Sequence, residues 1–218
     1  MKKIKIKNSK EEYLVGKIVC VGRNYAEHAK ELGNEIPEFP IIFLKPTSTL
    51  IFNNDDIVHP DYSNEMHHEI ELVLLIGEVI KNASSKIAEK AIIAYGVGLD
   101  MTLRDLQNEL KSEGKPWTLA KCFDTGVTIS EFFSKEEYQL TGNEQIKLCV
   151  NGIQKQKSTV DQMIFSPVEI VKYISKKMTL EKGDLIYTGT PAGVGKVERG
   201  DLIEAEIQNI GTIRNKVV

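Results

Sequence analysis

Two glutamates, Glu69 and Glu71, stand two positions apart in residues 68–76, the stretch that reads most clearly as a β-strand. Side chains alternate along a strand, so the two carboxylates share a face about 7 Å apart, while Ile70, Leu72, Leu74 and Ile76 share the other. A solvated sheet face holds such a pair without difficulty, and so short a pattern often matches by chance. Asp100 changes the weighing. It closes the apolar run 95–99 just ahead of a helix start, where a carboxylate becomes partly buried. A plain turn or cap aspartate is the alternative. Three carboxylates with no thiolate and no clear histidine partner suit a hard divalent cation, Mg2+ or Mn2+ ahead of Ca2+.

Other side chains could work beside such an ion. His28 and Glu31 are three apart on an expected helix and share a face. A carboxylate that orients a histidine makes a general base; a solvated surface pair has the same spacing. Lys121 follows Trp117-Thr118-Leu119-Ala120, an apolar lead-in that could desolvate it and leave it to hold a carboxylate or an enolate oxygen. Arg104 and Gln107 share one face of an expected helix, opposite its leucines, where exposure is the simpler expectation. Gly189-Thr190-Pro191 with Gly193 and Gly195 forms a glycine-rich loop whose amides could approach a small anion. His67 and His68 read as ordinary strand-start residues, and His59 as loop.

The elements that must position these groups are mostly strands. Residues 2–7, 17–22, 41–44, 68–76 and 95–99 read as strands. Asn24 is expected to cap a short helix reaching Gly33, with Glu27 at the capping-box position. Ser84 or Ser85 starts a helix through Ala94 with Ile87, Ala91 and Ile92 on one face. Thr102 is expected to cap a helix to Lys111 that buries Leu103, Leu106 and Leu110. Asn151-Gly152 between two apolar runs signals a hairpin. Ser166-Pro167-Val168-Glu169 is a capping box that opens a helix to about Lys177. Glu181-Lys182-Gly183-Asp184-Leu185-Ile186 is echoed by Glu198-Arg199-Gly200-Asp201-Leu202-Ile203, a charged turn leading into a strand. Strands outnumber helices without regular alternation, so the fold class is α+β with a β-rich mixed sheet, and residues 1–218 are expected to form one catalytic domain.

Bulk properties exclude several classes. The 218 residues are 41% hydrophobic, and 28 basic against 31 acidic residues give a net charge of −3. No basic excess suggests nucleic acid. Five lysines in the first ten residues precede no apolar core of a signal, and the apolar run 72–76 is too short to span a bilayer. Cys20, Cys122 and Cys149 lack paired spacing, which points to free thiols in a reducing cytoplasm. Residues 96–101 miss the third glycine of a dinucleotide fingerprint, and residues 190–197 miss two positions of a P-loop.

Taken in order, Val21-Gly22-Arg23-Asn24-Tyr25-Ala26-Glu27-His28, Phe43-Leu44-Lys45-Pro46, His68-Glu69-Ile70-Glu71-Leu72, Asp100-Met101-Thr102-Leu103-Arg104-Asp105-Leu106-Gln107, Lys115-Pro116-Trp117-Thr118-Leu119-Ala120-Lys121, Asn151-Gly152 and the 189–195 loop resemble the fumarylacetoacetate hydrolase family. The resemblance implies a β-rich fold around a metal site, usually in a homodimer. It implies Glu69, Glu71 and Asp100 as ligands of Mg2+ or Mn2+. The compact acylpyruvase and oxaloacetate decarboxylase branch is the most similar. That branch implies His28 and Glu31 on a lid helix as catalytic groups with Lys121, and Arg23, Arg104, Gln107 and Thr190 as contacts to a small 2-oxo acid. The expected chemistry passes through a pyruvate enolate, by hydrolysis of an acylpyruvate or decarboxylation of oxaloacetate. Tautomerisation of oxaloacetate, or isomerisation of an unsaturated oxo-diacid, is the alternative, and a non-catalytic oxo-acid binder the reading from another class. The long N-terminal domain of the name-giving enzyme is absent, which argues against fumarylacetoacetate itself as substrate.

Overall fold

A computed structural model describes residues 2–218. Its centre is a curled mixed sheet in the order Ile41–Lys45, Ile18–Gly22, Leu185–Tyr187, Ile70–Ile76, Ile92–Asp100, Val127–Ile129 and Leu50–Phe52, with Phe133–Ser134 added to the Ile92–Asp100 strand. The Ile70–Ile76 strand lies inside and is buried along its whole length. Ile70, Leu72, Leu74 and Ile76 enter one apolar cluster, and Val73 and Leu75 enter a second on the opposite face. Each such side chain contributes about 1.5–3 kcal/mol of apolar burial. Core packing on both faces therefore fixes where Glu71, on the Val73 side, must point.

A second antiparallel sheet runs Ile153–Thr159, Gln145–Val150, Leu202–Ile207 and Gly211–Lys216. Its strands alternate, with Ile203, Ala205 and Ile207 inward and Glu204 and Glu206 outward, as a one-sided sheet requires. A small sheet of Gly195–Val197, Met66–His68 and Thr102–Leu103 binds the end of the glycine-rich loop to the residues before Glu69 and after Asp100. The helices are α1 (Ala26–Glu31), α2 (Ser85–Ala91), α3 (Arg104–Ser112), α4 (Thr118–Lys121) and α5 (Pro167–Lys177).

Several expectations hold. Asn151 and Gly152 turn the hairpin with φ of 50° and 77°, and Ser166 with Glu169 forms the full capping box of α5. The echoed turns are built alike: Asp184 accepts from the Glu181 amide and Asp201 from the Glu198 amide, each at 2.8 Å. The β-rich α+β class is the one observed.

Others are corrected. The N-terminal strand is only Lys3–Lys5, paired with Glu12–Leu14. Ser84 does cap α2, but that helix stops at Ala91, because the β-branched Ile92 and Ile93 continue into the Ile92–Asp100 strand; Ile87 is 48% exposed, and Ala88 and Ala91 are the buried contacts. Tyr25, not Asn24, is the N-cap of α1, and it makes no side-chain cap bond. Thr102 lies in a strand and leaves α3 uncapped by a side chain. The 68–76 strand is broken at Glu69, which separates Met66–His68 from Ile70–Ile76.

Candidate active site

Glu69 sits in that one-residue break, Glu71 on the following strand, and Asp100 at the end of the antiparallel neighbour, where its amide bonds the Glu69 carbonyl at 2.9 Å. All three are buried, and one carboxylate oxygen from each lies within 4.8 Å of the others. Pairing to the neighbouring strand continues across that gap, through the Asp100–Glu69 bond.

Three cations surround this basin unevenly. Lys121 donates to Glu69 Oε2 at 2.8 Å, to Asp100 Oδ2 at 2.8 Å and to Thr102 Oγ1 at 2.6 Å. Arg104 pairs with Glu69 and donates to Gln107 Oε1 at 2.5 Å. Lys45 donates to Asp100 Oδ1 at 2.5 Å and to the carbonyls of Met101 and Gly126. Burial opposes the charge of Glu69, yet Lys121, Arg104 and His28 hold its pKa well below the carboxylate range. Burial likewise opposes the Lys121 charge, and Asp100 and Glu69 outweigh it, so that pKa is raised. Glu71 differs. Burial first, then the Asp100 and Glu69 charges, push its pKa far up, and its hydrogen bond comes from the Gly189 amide at 2.7 Å. No lysine or arginine is bonded to it among the described residues. A hard cation shared by the three oxygens would relieve that field, so the donor set fits the divalent ion expected from sequence.

The amphipathic reading of α3 holds in part: Leu103 is buried just before the helix and Leu106 packs on the core, but the face expected to be exposed is buried too. Arg104 and Gln107 are its buried side chains, turned onto the basin, while Leu106 and Leu110 are half-buried. The ordinary solvent-facing preference of arginine is overridden because Glu69 and Gln107 satisfy its donors. The lead-in to Lys121 also acts differently from expectation. Leu119 is 68% exposed, and the ring of Phe43, 5.0 Å from Nζ, covers the ammonium instead.

Above the basin, α1 places His28 inward, buried, with Nδ1 3.2 Å from Glu31 Oε2. Burial lowers the His28 pKa, against the pull of Glu69 and Glu31. Burial thus favours the neutral imidazole, the state a base needs. Glu31 also accepts from the Gly193 amide at 3.0 Å, which ties the helix to the glycine-rich loop. Arg23 has a left-handed backbone with φ of 59° and makes no hydrogen bond or ion pair to the described residues. It lines the same cavity as His28, Glu69, Glu71, Asp100, Lys121 and Thr190. Every expected site residue lines this cavity except Glu31, which stands behind His28.

Two buried polar side chains that brace the site are not evident from the sequence. Lys45 closes the apolar run 41–44, and a lysine ending such a strand was the available signal. Asn24, assigned as a cap, instead donates to the carbonyls of Phe165 and Thr188 and accepts from the Phe165 amide. A Cβ on Gly189 would lie 2.7 Å from that of Asn24, and Gly189 has a φ of 97°, so glycine is required there.

The sequence model described as fumarylacetoacetate (FAA) hydrolase C-terminal matches residues 17–218. The chain belongs to the fumarylacetoacetate hydrolase family. It is 44% identical over 193 residues, 87% of each chain, to oxaloacetate tautomerase YcgM of Escherichia coli (strain K12). It is 46% identical over 197 residues, 90% of each chain, to the mitochondrial oxaloacetate decarboxylase of Dictyostelium discoideum. The solved fumarylpyruvate hydrolase from Pseudomonas aeruginosa, in complex with Mn2+ and pyruvate, matches with a TM-score of 0.96 at 36% identity, covering 100% of this chain and 95% of that one. A member of this family thus holds a divalent ion and a small 2-oxo acid on the same fold. No helix among the described residues is long and apolar enough to cross a membrane.

Proposed function

We propose that this chain is a divalent-cation-dependent enzyme of small 2-oxo acids, cleaving the C3–C4 bond of acylpyruvates, decarboxylating oxaloacetate, or both. The observation that carries the reading is a buried His28, bonded to Glu31, lining one cavity with a buried three-carboxylate basin flanked by Lys121. Glu69, Glu71 and Asp100 would hold Mg2+ or Mn2+, whose charge would polarise the 2-oxo group. The chain's own groups would do the rest. Arg104, Gln107 and Thr190 orient the acid, and Arg23, uncommitted among the described residues, receives its outer carboxylate or acyl oxygen. The Lys121 ammonium faces the oxygen on which enolate charge develops. For an acylpyruvate, neutral His28 takes the proton of a water attacking the distal carbonyl, and Glu31 steadies the imidazolium so formed. For oxaloacetate the leaving group is carbon dioxide and no water is activated.

A second reading is oxaloacetate keto–enol tautomerisation, the activity for which the Escherichia coli relative is named. It needs the base and the charge stabilisation but breaks no carbon–carbon bond. One purely binding alternative leaves the buried His28–Glu31 pair without a purpose. The test is a panel of acetylpyruvate and oxaloacetate with and without Mg2+, following enol absorbance and pyruvate release separately, on the wild type and on His28→Ala. General-base help is worth ~10²–10⁴ in rate, so acylpyruvate cleavage should fall by at least ~10² in the variant, and decarboxylation far less. Equal kcat losses with unchanged KM would refute this division of labour. Enol turnover without pyruvate release would establish the second reading, and no turnover of either acid would establish a binder. A homodimer would cover the Ile41–Lys45 edge strand, whose Leu44 is 47% exposed; sedimentation tests it.

A further inference from the structure

Gln156 is wholly buried, yet it lies in the most hydrophilic strand of the protein, Ile153–Thr159. It is the one fully buried side chain of that strand. A β-bulge turns it inward: Leu148 pairs with Gln156 and Cys149 with Gln154, so Lys155 has no opposite partner. Bulges next to sites re-aim side chains in this way. The glycine-rich loop rests on the same bulge, since a Cβ on Gly193 would collide with the Lys155 carbonyl.

Backbone partners fix which way the Gln156 amide points. Its Oε1 faces the Ile70 amide at 3.2 Å, which can only donate. Its Nε2 faces the Pro191 carbonyl at 2.8 Å, which can only accept. With the amide so oriented, His68 Nδ1, 3.0 Å from Oε1, is also a donor. The remaining Nε2 hydrogen goes to Thr190 Oγ1 at 2.8 Å. Thr190 therefore accepts within the protein. Its own hydroxyl hydrogen has no acceptor among the described residues, and Thr190 lines the cavity.

We infer that Gln156 is a positioning residue that makes the Thr190 hydroxyl a hydrogen-bond donor toward the bound oxo acid. It does so from Ile70, the residue between Glu69 and Glu71, so one amide sets the loop that faces the ligand against the strand that carries two of the basin carboxylates. The inference rests on the proposed role of Thr190 as a substrate contact, and the experiment separates the two.

Oxalate is titrated into the Mg2+-saturated protein while the fluorescence of Trp117 is followed; Trp117 is the sole tryptophan and lines the cavity. A hydrogen bond to a charged acceptor corresponds to about tenfold or more in affinity, so Thr190→Val should weaken oxalate binding by about that factor. Gln156→Met should do the same in the wild type. It should add less than about twofold in a Thr190→Val background and recover its full effect in Thr190→Ser, which keeps the hydroxyl. A merely structural glutamine would weaken binding by the same factor in all three backgrounds, and that result overturns the inference. Should Gln156→Met fail to fold, Gln156→Glu is taken through the same cycle. It keeps the acceptor toward Ile70 and replaces the donor toward Thr190 with an oxygen that draws the hydroxyl hydrogen away from the ligand. Unchanged affinity in Thr190→Val removes the contact role and the inference together. Weakening in Thr190→Val without weakening in the Gln156 variant removes the inference alone.

Discussion

Replacing Lys45 with methionine keeps most of the side-chain volume and removes one ammonium. That ammonium makes three buried hydrogen bonds, to Asp100 Oδ1 and to the carbonyls of Met101 and Gly126. Two of the acceptors keep other partners: Asp100 Oδ2 still receives Lys121, and the Gly126 carbonyl still receives the Met101 amide. Breaking a buried pair typically costs about 3–5 kcal/mol. The remaining Lys121 contact puts the expectation at the lower end, about 3 kcal/mol. A chain of this length loses ~2–4 °C of Tm per kcal/mol, so thermal unfolding of the metal-free variant should begin about 6–12 °C lower. Lys45→Arg should not restore it. A planar guanidinium cannot aim three donors at three divergent acceptors in a slot sized for a point charge. Scanning calorimetry of the three proteins in chelator tests this. A Lys45→Met midpoint within about 2 °C of wild type, or full rescue by arginine, would refute the view that Lys45 is a fixed strut beneath Asp100.

Other outcomes follow from the same geometry. Glu71→Gln should weaken Mn2+ binding, measured calorimetrically, by at least ~10²-fold, more than the loss of an outer-shell partner, while leaving metal-free stability unchanged or higher because a strained buried charge is gone; lower stability without metal would contradict the pKa direction found for Glu71. The acid limb of kcat/KM should lie below the ordinary histidine value of about 6.5, since burial lowers the His28 pKa and the neutral base persists as pH falls. Glu31→Gln, by removing a charge that pulls that pKa up, should move the limb lower still, and a shift to higher pH would show that His28 is not the titrating base. Hydrogen exchange across residues 24–36 should slow when oxalate and Mg2+ are added, because a six-residue helix gains its order from docking; equal protection with and without ligand counts against a closing lid.

What could be read from the sequence follows a physical rule. Period-two alternation and two-sided apolar burial are local, so the inward Glu71 and its strand were legible, as were the Asn151-Gly152 hairpin and the Ser166 box. The sequence was misleading wherever polarity was taken for exposure. Arg104 and Gln107 face inward because the basin supplies their partners, and Gln156 is invisible in a run of lysines and glutamines because only a bulge turns it in. Asn24 failed for another reason. Its true partners, Phe165 and Thr188, are 141 and 164 residues away, whereas the cap it resembles is a three-residue pattern. Glu69 groups with Glu71 as the two-residue spacing implies, although no single-sequence pattern shows the gap between Met66–His68 and Ile70–Ile76.

The site is built at two levels of rigidity, and this bears on how one fold accommodates tautomerase, decarboxylase and hydrolase relatives. Glu71 and Asp100 stand on central strands with core on both faces, and Lys45, Arg104 and Lys121 are each pinned by buried acceptors. Moving any of them by an ångström disturbs close packing or leaves a buried charge unpaired. His28, Glu31 and Arg23 come from a six-residue helix without a side-chain cap and the left-handed turn before it, joined to the loop by the Glu31–Gly193 bond. In the proposed mechanism, charge stabilisation belongs to the first group and proton transfer to the second. Changes in the rim can therefore redirect a proton, or admit a water, without altering the basin that all three reactions need. Gln156 is the exception that joins the levels: it is buried like the basin, but bonds Thr190 at the edge of the rim.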